Sequence, residues 1–262
     1  MERLRNRLRN RLTAAAAFGL QSADVQPDQI DECVGTQNEA SRIAWLTENL
    51  AQLPAGARIL DAGAGELRFK DLCGHLNYVS QDFGQYDGKG DDVGMHTGSW
   101  NQEKLDIVSD ITAIPEPEGS FDAIMCIEVL EHLPSPILAI KEFSRLLKTG
   151  GHLIMTAPFC SLTHLAPYHF YTGFNRYFYE THLPAHGFQI VELQPNGNFF
   201  EYLAQELRRL PQIAEQYAQD QPQAKEVLAL DTVINMLGRL SDKDQGSADM
   251  LHFGFHVSAR RI

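Results

Sequence analysis

The chain has 262 residues, with 22 Lys and Arg against 34 Asp and Glu and a hydrophobic fraction of 44%. That composition belongs to an ordinary globular protein and excludes a wholly disordered, collagenous or coiled-coil chain. No apolar run nears the ~18 residues of a membrane-spanning helix.

Arg3, Arg5, Arg7, Arg9 and Arg11 alternate with Leu4, Leu8 and Leu12 at the start, and Glu2 is the only acid there. Residues 1–24 read as a flexible basic segment, whose residues 1–12 permit weak contact with a membrane surface. The rest is strongly acidic, which argues against broad nucleic-acid binding. Residues 25–262 are expected to form a single domain. Cys33, Cys73, Cys126 and Cys160 form no C-x-x-C pair. With no secretory h-region either, a cytoplasmic location is expected.

Thr36 with Glu39 fits a capping box, and Ile43, Leu46, Leu50 and Leu53 follow at helical spacing. Pro54-Ala55-Gly56 ends that helix. Arg58–Asp61 reads as a buried strand that turns through Gly63 and Gly65 into a short helix ending at Gly74. Strands are predicted near 76–81, 105–109, 121–127, 152–157 and 189–193, with mostly loop over 84–104. Ser135-Pro136 starts a helix whose buried face is Ile137, Ile140, Phe143 and Leu147. Phe200, Leu203, Leu207, Leu210 and Ala214 mark one further helical stripe, and Val227, Leu230, Ile234 and Leu237 another. From Leu251 to Ser258 apolar residues alternate with His252, Gly254 and His256, as in a strand with one more exposed face. Strands alternating with helices imply an α/β fold, doubly wound around a mostly parallel sheet.

Ligands of such sheets sit at the carboxyl ends of the strands. Asp61 precedes two glycines there, Asp82 ends the second strand 21 residues later, and Asp110-Ile111 follows the third. A carboxylate at the second strand end can accept both hydroxyls of a ribose. The absent third glycine, with Leu67 near its place, weighs against a nicotinamide-dependent oxidoreductase.

The segments ILDAGAGELRF, YVSQDF, SDITAIPEPEGSFDAIMCIEVLEHLPSP and EFSRLLKTGGHLIMTAPF stand in an order that resembles the class I S-adenosylmethionine-dependent methyltransferases, type 11-like, over about 56–160. The resemblance implies a seven-stranded sheet with an antiparallel last strand and S-adenosylmethionine as cofactor. It implies that Asp61, Gly63 and Gly65 hold the methionine moiety and Asp82 the ribose. Phe83, Asp110 and Ile111 would hold the adenine, and Cys126 would line the floor. It also makes 160–186 a segment capping the acceptor pocket.

That segment holds seven of the chain's 24 aromatic residues between Tyr168 and Tyr179. His164, Tyr168, His169, Tyr171 and Arg176 are candidates to touch substrate, Arg176 through a carboxylate or phosphate. His169 is the first choice for a base, with His132 the second. Glu128, Glu131 and His132 would share a helix face, an arrangement able to bind a divalent ion. The same E-x-x-E-H pattern resembles metal-assisted methyltransferases of RNA 3′ ends and quinone precursors, with His169 as a further ligand, although "LEHL" also occurs without metal. The reading adopted assigns no metal and expects methyl transfer to a small-molecule or glycan-precursor acceptor. A metal-assisted enzyme and a non-catalytic cofactor-binding scaffold are the alternatives.

Overall fold

The computed structural model describes residues 34–91, 93–102 and 104–262. The basic segment 1–24 and Cys33 lie outside the described residues. In chain order the elements are α1 (Asn38–Ala51), β1 (Arg58–Ala62), β2 (Asn77–Asp82), β3 (Ile107–Val108), β4 (Phe121–Ile127), α2 (Pro136–Leu146) and β5 (Leu147–Pro158). Then come α3 (Arg176–Ala185), β6 (Phe188–Asn196), α4 (Phe199–Ile213), α5 (Ala224–Ser241) and β7 (Gly254–Arg261).

One seven-stranded sheet has the order β3-β2-β1-β4-β5-β7-β6. β1 to β5 are parallel, and β7 runs antiparallel between β5 and β6. Successive residues of a strand face opposite sides, so a sheet covered twice needs apolar residues at both parities. Leu60, Ile124, Cys126 and Met155 pack with Ile140 and Phe143 of α2 and with Tyr179 of α3. Ile59, Ala123, Met125 and Ile154 pack with Trp45, Leu46 and Leu50 of α1. Each such large apolar side chain contributes about 1.5–3 kcal/mol by leaving water. No described helix is long and apolar enough to cross a membrane.

Five local expectations are corrected. The cap of α1 is Gln37, whose side chain makes no capping bond to the helix, and Glu39 pairs instead with Arg68. The residues after Gly65 form turns, with a single 3-10 turn at Lys70–Cys73 in place of a full helix. Ile137 is exposed on the first turn of α2, whose buried face is Ala139, Ile140, Phe143 and Leu146. β7 begins at Gly254 and has no wetter face, because it lies inside the sheet and Trp45 of α1 stacks on His256 at 4.9 Å. The apolar stripe of α4 is partly solvent-facing at Leu203 and Leu210; its buried residues are Tyr202 and Ala204, because α4 packs chiefly on α5.

Candidate active site

β1 delivers the chain to a tight turn at the carboxyl edge of the sheet. Gly63 and Gly65 have φ of +83° and +51°, a region costly for side chains with a Cβ. The N–H groups of Gly63 and Ala64 both donate to the Gln81 carbonyl at 2.8 Å. Gly65 N–H donates to Asp82 Oδ2 at 3.0 Å, so the turn is tied to the end of β2. Asp82 Oδ1 accepts from Gly84 N–H at 3.0 Å and from the Gln102 amide at 2.8 Å. The turn is crowded from above. A Cβ on Gly65 would stand 2.6 Å from the Trp100 ring, and one on Gly63 would stand 2.5 Å from Val129.

The acids of the three strand ends differ in state. Asp61 is buried and accepts from the Tyr78 hydroxyl at 2.6 Å. Burial raises its pKa to about 7; the Tyr78 hydrogen bond opposes the rise and the charge of Asp82 adds to it. Asp110 is exposed and turns inward on Thr112, whose N–H and hydroxyl both reach Oδ1 at 2.8 Å. Ile111 is buried beside it, and Phe83 meets Tyr168 edge-on at 4.9 Å. Cys126 is fully enclosed in the core, so only its backbone could meet a ligand.

This set fits a sulfonium nucleoside. It offers a carboxylate at Asp82, a second at Asp110 and a left-handed glycine turn at the sheet edge between them and β1. It also has a buried donor, Trp100 Nε1, with no partner among the described residues.

The ends of β4 and β5 build the other side. Glu128 takes a φ of +55°, rare for a side chain of its size, and the helix expected over EVLEH is a single 3-10 turn, Leu130–His132. The three polar residues therefore do not share a helix face. Glu128 turns to Thr156, whose hydroxyl donates to Oε1 at 2.8 Å, and to Arg42 of α1 at 3.3 Å. Glu131 instead meets two imidazoles, with Oε1 at 3.7 Å from His132 Nε2 and 3.9 Å from His164 Nε2. Glu131 Oε2 is buried with no partner among the described residues.

The tautomers follow from the backbone. His132 Nδ1 lies 2.6 Å from the Tyr168 carbonyl, and His164 Nδ1 lies 2.8 Å from the Leu162 carbonyl. Carbonyls only accept, so both Nδ1 atoms carry a proton, and in a neutral ring the lone pair then belongs to Nε2. Burial, then the neighbouring imidazoles, hold His132 down to about 3, while its bond to Tyr168 opposes this. Burial, then the charge of Glu128, pushes Glu131 well above the carboxylate range. Glu131, His132 and His164 each offer one atom within 4.8 Å of the others, a carboxylate and imidazole donor set suited to Zn²⁺ or Mn²⁺.

His169 joins this group, its ring 4.8 Å from His164 and 6.0 Å from His132. Its Nε2 is 3.2 Å from the Ser161 hydroxyl, and burial lowers its pKa. Tyr171 reaches the Pro134 carbonyl at the surface. Arg176 is not brought to the cleft; it is exposed at the start of α3 and is held by Glu180 at 2.8 Å. Sequence reasoning passed over Gln102, Trp100 and Arg42. Trp100, one of two tryptophans and set in a glycine-rich stretch, was the available signal. A separate cavity of about 480 Å³ between α1, the end of β6 and α4 is lined by none of the predicted site residues.

The family described as "Methyltransferase domain" matches residues 36–210. A ubiquinone biosynthesis O-methyltransferase of Xanthomonas axonopodis pv. citri (strain 306) is 34% identical over 128 residues, which are 44% of this chain and 48% of that protein. One of the same name from Marinobacter nauticus is 30% identical over 63 residues, 24% of this chain and 26% of the relative. The chain thus spans about half the length, or less, of these relatives. A solved geranyl diphosphate methyltransferase, in complex with GPP and sinefungin, superposes with a TM-score of 0.50 at 10% identity, covering 86% of this chain and 79% of that one. At that identity it speaks for the fold alone, and the fold is the same doubly wound sheet. With the family match spanning well over half of its length, the chain belongs to the methyltransferase-domain family.

Proposed function

We propose that this methyltransferase moves a methyl group from S-adenosylmethionine to a small-molecule acceptor. Hydroxylated quinone precursors, named for its relatives, are the first acceptors to test. The observation that carries the reading is Asp82, an acid at the end of β2 that grips the glycine turn through Gly65 N–H. When bound, the cofactor supplies a methyl group on a sulfonium, with a neutral thioether as leaving group.

The chain's part is to align and to exclude water. Asp82 accepts the ribose hydroxyls, and Gly63 and Gly65 let the methionine portion pass close to the backbone. Asp110, Ile111 and Phe83 bracket the adenine. The insert that carries His164 and His169 closes the acceptor side. His169, held neutral by its lowered pKa, takes the acceptor's proton on an imidazole nitrogen. His132, enclosed and bonded to Tyr168, positions that insert. Free thiols at Cys73, Cys126 and Cys160 support a cytoplasmic site of action.

Calorimetry with S-adenosylmethionine and S-adenosylhomocysteine tests the reading. Binding of both is expected, with loss of binding in Asp82→Ala. Absence of heat with either compound overturns it.

A second reading, metal-assisted methylation of a hydroxyl, is favoured by one observation: the lone pairs of His132 and His164 converge on Glu131 Oε1. Those three residues would hold a divalent ion, which would supply Lewis-acid stabilisation of an acceptor oxyanion. Turnover unaffected by EDTA, in protein shown by elemental analysis to be metal-free, removes this reading and leaves the first standing.

A further inference from the structure

We propose that Trp100 and Gln102 are working residues of the cofactor cleft. Gln102 stands in for the ribose on Asp82 until the cofactor displaces it, and Trp100 roofs the glycine turn with its indole N–H kept for an acceptor atom of the ligand. The inference rests on the cofactor reading above and adds residues that no strand-end motif contains.

Asp82 is the starting point. A carboxylate has about four lone-pair sites. Two donors to Asp82 are backbone N–H groups, Gly65 and Gly84, fixed by the fold. The third is the Gln102 side-chain amide, at 2.8 Å on Oδ1. An amide N–H and a ribose hydroxyl offer the same thing, a donor to an anionic oxygen. Gln102 therefore fills the position a nucleoside needs with a group of matching polarity.

Trp100 gives the second, independent observation. Its ring lies against Gly65, close enough that any Cβ there would stand at 2.6 Å. It belongs to neither hydrophobic cluster of the sheet. Its Nε1 is nonetheless buried without a partner among the described residues. Buried indole N–H groups ordinarily find an acceptor, so an orphan on a ring packed against the glycine turn marks a missing one.

The backbone around these two residues is held while their side chains reach inward. Asn101 N–H donates to Glu66 Oε1 at 2.9 Å, directly between them. Tyr86 meets the Trp100 ring edge-on at 5.5 Å and bonds His96 at 3.0 Å. Gly98 N–H reaches the Gly88 carbonyl at 2.7 Å. Met95 joins the same segment to the insert, donating to Thr163 and accepting from Leu165. Side-chain rotation of Gln102, rather than unfolding of the segment, is then enough to clear Asp82.

The two tryptophans make the test direct. Trp45 lies in α1, stacked on His256, so Trp45→Phe leaves Trp100 as the sole tryptophan. S-adenosylhomocysteine is titrated while heat and Trp100 emission are recorded on the same protein. The emission is expected to change with the midpoint of the heat. Gln102→Ala should bind S-adenosylhomocysteine about threefold to tenfold tighter, because a competitor is gone. Trp100→Phe, which keeps a ring and loses the N–H, should bind about tenfold weaker. Heat with unchanged emission, or Gln102→Ala binding no tighter than the parent, overturns the proposal while the cofactor reading survives. No heat at all overturns both. If Trp45→Phe does not fold, fluorotryptophan labelling of the parent chain gives the same answer, since one of two resonances must shift on binding.

Discussion

The two sides of the cleft are opposites in how their polar groups are matched. At the ends of β1 and β2, acceptors meet donors: Asp82 takes two backbone N–H groups and an amide, and Asp61 takes the Tyr78 hydroxyl. Beyond the end of β4, where the turn Leu130–His132 meets the insert, Glu131 has no such match. Glu131 Oε1 faces Nε2 of two imidazoles at 3.7 and 3.9 Å, and Oε2 is buried with no partner among the described residues. A matched site is stiff and ready for a ligand of one shape. A mismatched one is complete only when a proton or cation enters it, which suits the side where a proton must leave an acceptor.

The comparison breaks most sharply at Asp82. Asp82→Ala removes the ribose acceptor and the anchor of the glycine turn together. Two hydrogen bonds to a charged group, at roughly 1.5–3 kcal/mol each, make the loss in S-adenosylhomocysteine affinity at least about 100-fold. Calorimetry reads it, and a loss under tenfold means that the acid does not meet the ribose.

The other side should respond in turnover instead. His169→Ala is expected to lower kcat about 100-fold, the lower range for a general base, with cofactor affinity unchanged. Because His169 is held below the ordinary imidazole value, the working neutral form persists on acidification and the acid limb of kcat falls below pH ~6.5. An acid limb at or above that pH removes His169 as the base.

Tyr78→Phe tests whether matching on the first side serves the fold or the ligand. Asp61 keeps its burial and loses the hydroxyl that stabilises its charged form, so its pKa rises further. The expected cost is about 1–2 kcal/mol in urea unfolding, with affinity for S-adenosylhomocysteine altered less than twofold. A large affinity loss would make Asp61 a direct cofactor contact.

The same contrast governs what could be read from the residues alone. Asp61, Gly63, Gly65, Asp82 and Asp110 lie on strand ends whose spacing is set by the sheet, so short-range pattern finds them. The opposite side draws Arg42 from α1, Glu131 and His132 from the turn after β4, and His164 and His169 from the insert. Nothing local tells Glu128 to turn toward Arg42 while Glu131 turns toward the histidines. A helix was the natural expectation for EVLEH, and the left-handed φ of Glu128 replaced it. The face of β7 was misread for a related reason: His252 and His256 look polar in sequence but are covered by Phe159 and Trp45 from distant elements.

Those covered histidines make the smallest prediction, and its sign can be worked out. Burial lowers His132 to about 3 and His252 and His256 to about 4. Unfolded, each titrates near 6.5, so below that pH the unfolded chain binds more protons than the folded one. Their contribution is fully present above pH ~6.5 and is lost as pH falls toward 4, at about 1.4 kcal/mol per unit and group. Asp61, raised to about 7, and Glu131, raised well above the carboxylate range by burial, act the other way, since the folded chain holds their protons first. Between pH 6 and 4.5 the buried histidines and the two acids therefore pull in opposite directions, each histidine by up to about 1.4 kcal/mol per pH unit. His256→Gln keeps a neutral side chain in place and removes one group from the larger set. Its stability, measured by urea unfolding across that range, should fall by about 1.4 kcal/mol per pH unit less than the parent's, even if its value at pH 7 is lower. A slope equal to the parent's would mean that His256 is as easily protonated in the folded chain as in the unfolded one, and that the Trp45 cover does not exclude water.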